Sequence, residues 1–233
     1  MPNTAIGTIL SDFVSLFFPS QCLACENALV KGEELVCTSC KLEMPATHYH
    51  LERDNPLANR LSYRFPLKYG MACYKFSKSG RVQHLLHELK YNSHPEIGVG
   101  LGRVYGDKLA TLGYAKDFEV IIPVPLHPTR QRKRGYNQSA KFAEGLSEKL
   151  AIPFSDEIMS RRLKTETQTR KSKLNRWENM GEVFRVDDRF RIEGKSILLV
   201  DDVITTGSTL EACAQVLLQS GVRDLSVACI AEA

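Results

Sequence analysis

Long apolar runs are missing from this chain. The most apolar stretch near its start, Ile6 to Phe18, is interrupted by Asp12. It is too short to serve as a membrane-crossing helix, which needs about 20 residues. Lysine and arginine do not occur before Lys31, so the basic start of a secretory leader is missing too. There is no internal repeat, no low-complexity tract and no recognition-helix pattern, which argues against a solenoid or a reader of duplex sequence. Charge of one sign is not in excess: the formal net charge is +4, too little to argue for nucleic acid by itself. An even set of cysteines is also lacking. Seven, with no secretory leader expected, speak against a disulfide framework and for a reducing cytoplasm.

What remains is ordinary for a folded protein. Of the 233 residues, 43% are hydrophobic and 25% charged, enough to bury a core in one medium domain with a small appendage. Ile6, Leu10, Phe13 and Phe17 fall near one face of a short helix that Pro19 ends, suited either to packing on the body or to docking on a membrane surface or partner. Residues 48–66 are polar, with Asp54-Asn55-Pro56 as a turn signal, and read as a linker or as the rest of the small module. From Leu67 the pattern becomes regular. A strand is expected over Met71–Phe76, then a helix over Arg81–Leu89 with Val82, Leu85, Leu86 and Leu89 on one stripe. Val120–Val124 and Ile197–Val200 are short, continuous apolar runs of the kind found in buried parallel strands. Between them, Pro125–Tyr136 reads as a polar basic loop, and Asn137 as the cap of a helix ending at Leu150. Leu210, Cys213, Ala214 and Leu217 mark a further helix stopped by Gly221, and Leu225–Ile230 a last strand. This alternation predicts an α/β domain with a mostly parallel sheet over residues 67–233, preceded by a smaller unit over 1–66.

Four of the cysteines are clustered: Cys22-x-x-Cys25, eleven residues, then Cys37-x-x-Cys40. Two such pairs brought together offer four thiolates in a tetrahedron, the arrangement of a structural zinc site; a redox dithiol or an iron–sulfur cluster is the alternative. All four positions would be filled by protein, so the role is structural. Cys73, Cys213 and Cys229 lie in apolar surroundings and read as core residues.

The most informative segment is Asp201-Asp202-Val203-Ile204-Thr205-Thr206-Gly207-Ser208-Thr209. A buried strand carries two adjacent carboxylates to its end, where open α/β sheets bind ligands. A loop of hydroxyl residues and one glycine then opens a helix, whose free N–H groups and dipole favour a phosphate. Neighbouring carboxylates repel each other, and ribose hydroxyls or a Mg²⁺ would relieve that repulsion. The plainer alternative is a strand–turn–helix joint with Asp202 or a threonine as cap. Gly98-Val99-Gly100-Leu101-Gly102 lacks the G-x-G-x-x-G spacing and follows His94-Pro95 rather than a strand, so it is no dinucleotide site.

Ile197 to Thr209 resembles the signature of type I phosphoribosyltransferases, which bind 5-phosphoribosyl-1-pyrophosphate. That resemblance implies a twisted parallel sheet with flanking helices. It puts Asp201 and Asp202 on the ribose hydroxyls as catalytic carboxylates, Thr205, Thr206, Gly207, Ser208 and Thr209 around the 5′-phosphate, and a Mg²⁺ largely on the pyrophosphate. Pro123-Val124-Pro125-Leu126-His127, then Arg134-Gly135-Tyr136-Asn137-Gln138-Ser139, with Thr165, Gln168 and Arg176 and the zinc-ribbon-like cysteine module, is similar to the ComF family of competence-associated proteins. This likeness covers nearly the whole chain.

Arg130, Arg132, Lys133 and Arg134 crowd the segment where that family implies a pyrophosphate loop, and Arg134 is the candidate contact; a solvated basic surface is the alternative. Lys90-Tyr91, after the Arg81–Leu89 helix, is a weaker candidate for the same pocket. Arg161, Arg162, Lys164, Arg170, Lys171, Lys173 and Arg176 fall where the family has a hood loop, and could equally track a nucleic-acid backbone or face solvent. Two functions follow. One is a Mg²⁺-dependent phosphoribosyltransferase linked to DNA uptake and nucleotide metabolism, with no evident general base for its acceptor. The other is a non-catalytic nucleotide sensor that touches single-stranded DNA or a helicase-type partner of the uptake machinery.

Overall fold

The computed structural model describes residues 20–161 and 183–233. At its centre lies a four-stranded parallel sheet in the order β1 (Gly70–Lys75), β6 (Asp224–Glu232), β5 (Ser196–Ile204) and β2 (Val120–Pro123). Alternate residues of the central strands feed two cores. Leu198, Val200, Ala228 and Ile230 join one, whereas Ile197, Leu199, Val227 and Cys229 join the other. This two-sided burial is why the strands read as unbroken apolar runs.

Helices cover both faces. On the first are α3 (Arg81–Tyr91), α4 (Pro95–Thr111) and α6 (Gln138–Leu150). On the second are α2 (Pro56–Ser62), α7 (Ser208–Gln219) and a small antiparallel pair, β3 (Met159–Arg161) with β4 (Phe184–Val186). A short helix, α1 (Thr38–Glu43), closes the cysteine module, whose Cys22, Val36, Cys40 and Met44 join the first core. Among the described residues, no helix is long and apolar enough to cross a membrane. The expected helix before Pro19 lies outside those residues.

Two segments depart from the sequence expectation, and a third, after His94, is one to which the sequence pattern assigns no element. Residues 48–66 are no mere linker. Asn55 accepts from the Ala58 N–H at 2.9 Å and caps α2, and Leu57, Leu61 and Phe65 are buried in the second core. The Asn-Pro pair that suggested a turn is a helix start, with proline at the first position, where its missing N–H costs nothing. The stretch after His94 forms the long helix α4 despite four glycines. A Cβ on Gly145 of α6 would meet the carbonyl oxygen of Val99, and one on Gly102 would meet that of Phe142. The glycines therefore let α4 and α6 touch backbone to backbone, and that contact outweighs their poor helix propensity. Lastly, the basic segment after β2 contains a short helix, α5 (Pro128–Arg134), with no buried residue. It has no apolar stripe to betray it.

Candidate functional site

Because the four strands run in parallel, their carboxyl ends share one edge. There β5 outruns its neighbour: Pro123 pairs with Val200, leaving Asp201 to Ile204 beyond the end of β2. The first turn of α6 reaches across this gap. Ser139 Oγ donates to Asp201 Oδ1 at 2.9 Å, and the Asp202 N–H donates to the same oxygen at 2.8 Å. Burial, aided by the charge of Asp202, still pushes the Asp201 carboxyl up to about 7, against the pull of these donors and of Lys90. Asp202 has its own counter-ion, Lys90 Nζ at 2.8 Å, arriving from the last turn of α3. Three separated pieces of sequence therefore build the carboxylate pair.

The loop after β5 exposes Thr205, Thr206, Ser208 and Thr209 and buries Gly207. Gly207 has φ +79° and precedes the first turn of the 12-residue α7, where Thr206 Oγ1 is a distant acceptor, 3.5 Å from the Ser208 N–H. Glycine is required here twice over. Its φ disfavours any side chain, and an added Cβ would come within 3.0 Å of Leu61 Cδ2 and 3.9 Å of Arg64 Cδ. Arg64, just past α2, is anchored on the buried Glu211 at 2.7 Å, so a guanidinium stands beside the hydroxyl loop.

Adjoining the carboxylates through Lys90 lies an open cleft of about 320 Å³ lined by Lys90, Tyr91, Ser93, Arg130, Lys133 and Arg134. Four of the six residues are cationic. Gly135, at φ +82°, ends α5 and turns the chain into Asn137, which accepts from Ser139 N–H and donates to Val124 O at 2.9 Å. That bond ties the end of β2 to the start of α6. Arg134 donates to Gln138 Oε1 at 2.8 Å and lies over the Tyr91 ring, 5.2 Å from its centre. Tyr136 donates to Leu89 O at 2.5 Å and so fixes the end of α3 beside the cleft. Buried Gln138 keeps an Nε2 without a hydrogen-bond partner among the described residues.

In the cysteine module, Cys22, Cys25, Cys37 and Cys40 place their sulfurs within 4.8 Å of one another. Backbone N–H groups of Ala24 and Cys37 point at Cys22 Sγ at 3.4 and 3.3 Å. Burial raises the Cys22 thiol, but these N–H groups outweigh it and bring the thiol down to about 7. The N–H groups favour thiolate, and four gathered sulfurs are a donor set that fits zinc. Cys73, Cys213 and Cys229 are buried in the core, as the sequence suggests.

The carboxylates, the hydroxyl loop and Arg134 thus share one sheet edge, and so does Lys90. Arg132 does not line the cleft with its neighbours. The basic segment from Arg162 to Arg176, with Thr165 and Gln168, lies outside the described residues. Sequence reasoning missed Arg64 and gave no role to Ser139. Arg64 sits in the polar stretch 48–66, and Ser139 in the Arg134–Ser139 motif, where neither residue type nor spacing points to its partner.

The phosphoribosyl transferase domain family matches residues 137–233, so the edge just described belongs to a phosphoribosyltransferase fold. The DNA utilization protein YhgH of Shigella flexneri is 30% identical over 212 residues, covering 90% of this chain and 88% of that protein. Competence protein F of Haemophilus influenzae is 40% identical over 47% of this chain and 48% of its own length. Competence protein ComFC of Bacillus subtilis is 27% identical over 83% of this chain and 82% of its own. The chain belongs to the ComF family of competence and DNA utilization proteins.

Proposed function

We propose that this ComF protein binds 5-phosphoribosyl-1-pyrophosphate with Mg²⁺ at the sheet edge and acts as a phosphoribosyltransferase in DNA utilization. One observation carries the reading. An adjacent carboxylate pair runs straight into a glycine-opened hydroxyl loop and adjoins, through Lys90, a cation-lined cleft, one partner each for the diol, the 5′-phosphate and the pyrophosphate of the donor. Asp201 and Asp202 accept from the ribose hydroxyls. Thr205, Thr206, Ser208 and Thr209 and the first N–H groups of α7 hold the 5′-phosphate. Arg134, stacked on Tyr91, grips pyrophosphate oxygens in a way that Lys133 cannot, because only a guanidinium offers a fork of donors. Asp201 and Asp202 would hold Mg²⁺ alongside donor oxygens, and the ion would supply neutralising charge for the departing pyrophosphate. The residues of this chain orient the sugar while the bond from C1′ to pyrophosphate breaks and the acceptor forms its own bond to C1′.

Residues 67–233 form the donor-binding part and residues 1–66 the cysteine part, which holds a structural zinc and contributes α2 to the floor of the phosphate loop. The cytoplasm is the compartment in which both the free thiols and the donor persist. The test is pyrophosphate release from the donor with Mg²⁺ and candidate acceptors. Turnover by the wild type, lost in Asp201→Asn/Asp202→Asn, is expected; release that survives in the double variant contradicts the assignment.

A second reading has its own observation. Tyr91 is 61% exposed among the cations of the cleft, as a stacking platform for an unpaired base would be. On that reading the protein senses a nucleotide or holds single-stranded DNA for a helicase-type partner. Binding of a fluorescent oligonucleotide would then fall steeply with salt and with neutralisation of Arg130 and Lys133.

A further inference from the structure

We propose that Lys90 is a two-position latch, holding Asp202 in the free chain and turning to the pyrophosphate of the bound donor. The proposal rests on the donor reading above and adds a positioning residue that neither the signature loop nor the basic segment contains.

Lys90 Nζ is 2.8 Å from Asp202 Oδ2, with the two side chains 22% and 16% exposed. The same lysine lines the cationic cleft with Arg130, Lys133 and Arg134. Among the described residues, it both contacts the carboxylate pair and faces the proposed pyrophosphate site. Its backbone is well fixed: α3 is held at its end by the Tyr136 hydroxyl on Leu89 O. Toward its start α3 is held by Arg81 on Glu43 at 2.6 Å, and by His84, hydrogen-bonded to Leu23 O at 2.9 Å. The long, flexible lysine stem can therefore swing its ammonium between two anions while the helix stays put.

The exchange is electrostatically balanced. A partly buried carboxylate next to a second one needs a counter-charge, and in the free chain Lys90 provides it. When ribose hydroxyls donate to Asp202, that need falls. At the same moment the pyrophosphate brings new negative charge to the cleft, where the ammonium is then better placed. Capturing the pyrophosphate half thus releases Asp202 for the sugar half, and a ligand without pyrophosphate has to break the ion pair with no such compensation.

The measurement is isothermal titration of the wild type, Lys90→Gln and Lys90→Arg with two ligands in Mg²⁺: phosphoribosyl pyrophosphate and ribose 5-phosphate. Lys90→Gln should weaken the pyrophosphate compound by roughly tenfold or more, the worth of one charge-assisted contact. It should leave ribose 5-phosphate equal or tighter, because the latch is gone. Lys90→Arg keeps the charge and should recover much of the lost affinity. Equal weakening of both ligands by Lys90→Gln would mean a merely structural lysine and overturn the proposal, as would unchanged affinity for the pyrophosphate compound. A wild type that binds neither ligand overturns the donor reading itself, a separate result.

Discussion

Asp201→Asn should make the folded protein more stable above neutral pH while destroying its ligand site. In the folded chain the Asp201 carboxyl titrates near 7, against an ordinary value of 3.8, chiefly because it is buried and secondly because Asp202 is charged. A raised carboxyl pKa means that folding disfavours the ionised form. Its stabilising share is complete below about 4, declines as pH rises, and is lost above about 7. At roughly 1.4 kcal/mol per unit, the ionised group costs the native state up to about 4 kcal/mol at pH 8. Partial water access and the coupling to Asp202 reduce that to roughly 2 to 4 kcal/mol. Asparagine keeps the Oδ1 acceptor that serves Ser139 Oγ and the Asp202 N–H and removes the charge. Urea unfolding at pH 4, 6 and 8 reads the difference between variant and wild type. It should be near zero at pH 4 and grow in favour of the variant toward pH 8. A difference that does not change with pH, or a less stable variant at pH 8, would refute the reasoning.

Other consequences are as direct. Gly145→Ala should cost roughly 2 to 5 kcal/mol in chemical denaturation, because its methyl group would collide with Val99 O and drive α4 from α6. Gly207→Ala adds about 1 to 2 kcal/mol of backbone strain at φ +79°, and should abolish donor binding in the same titration that detects it in wild type. Elemental analysis of chelator-free protein should find one zinc per chain. Cys22→Ser should lose it, and chelation should lower the melting temperature because the metal's binding energy is folding energy.

The sheet was legible because its strands are buried on both faces and its helices carry apolar stripes, both local patterns. Asp201 to Thr209 was legible for the same reason: strand, carboxylates, loop and helix start are contiguous. What escaped notice depends on partners distant in sequence. Leu57 and Leu61 look sparse in a polar stretch until Asn55 is seen capping a helix against the second core. The glycines of α4 argue against a helix until Gly145 is opposite them. Arg134 reached the expected edge, but Ser139 on Asp201 and Lys90 on Asp202 are contacts between separate elements, and no spacing rule announces them.

The edge at Asp201 to Thr209 is proposed as a phosphoribosyl pyrophosphate site. Titrating the donor into wild-type protein with Mg²⁺, beside the Asp201→Asn/Asp202→Asn variant, tests it most directly. Saturable binding by the wild type, which disappears in the variant while zinc content and fold are retained, is the expected result. No binding by the wild type, or binding that the double variant preserves, would contradict it.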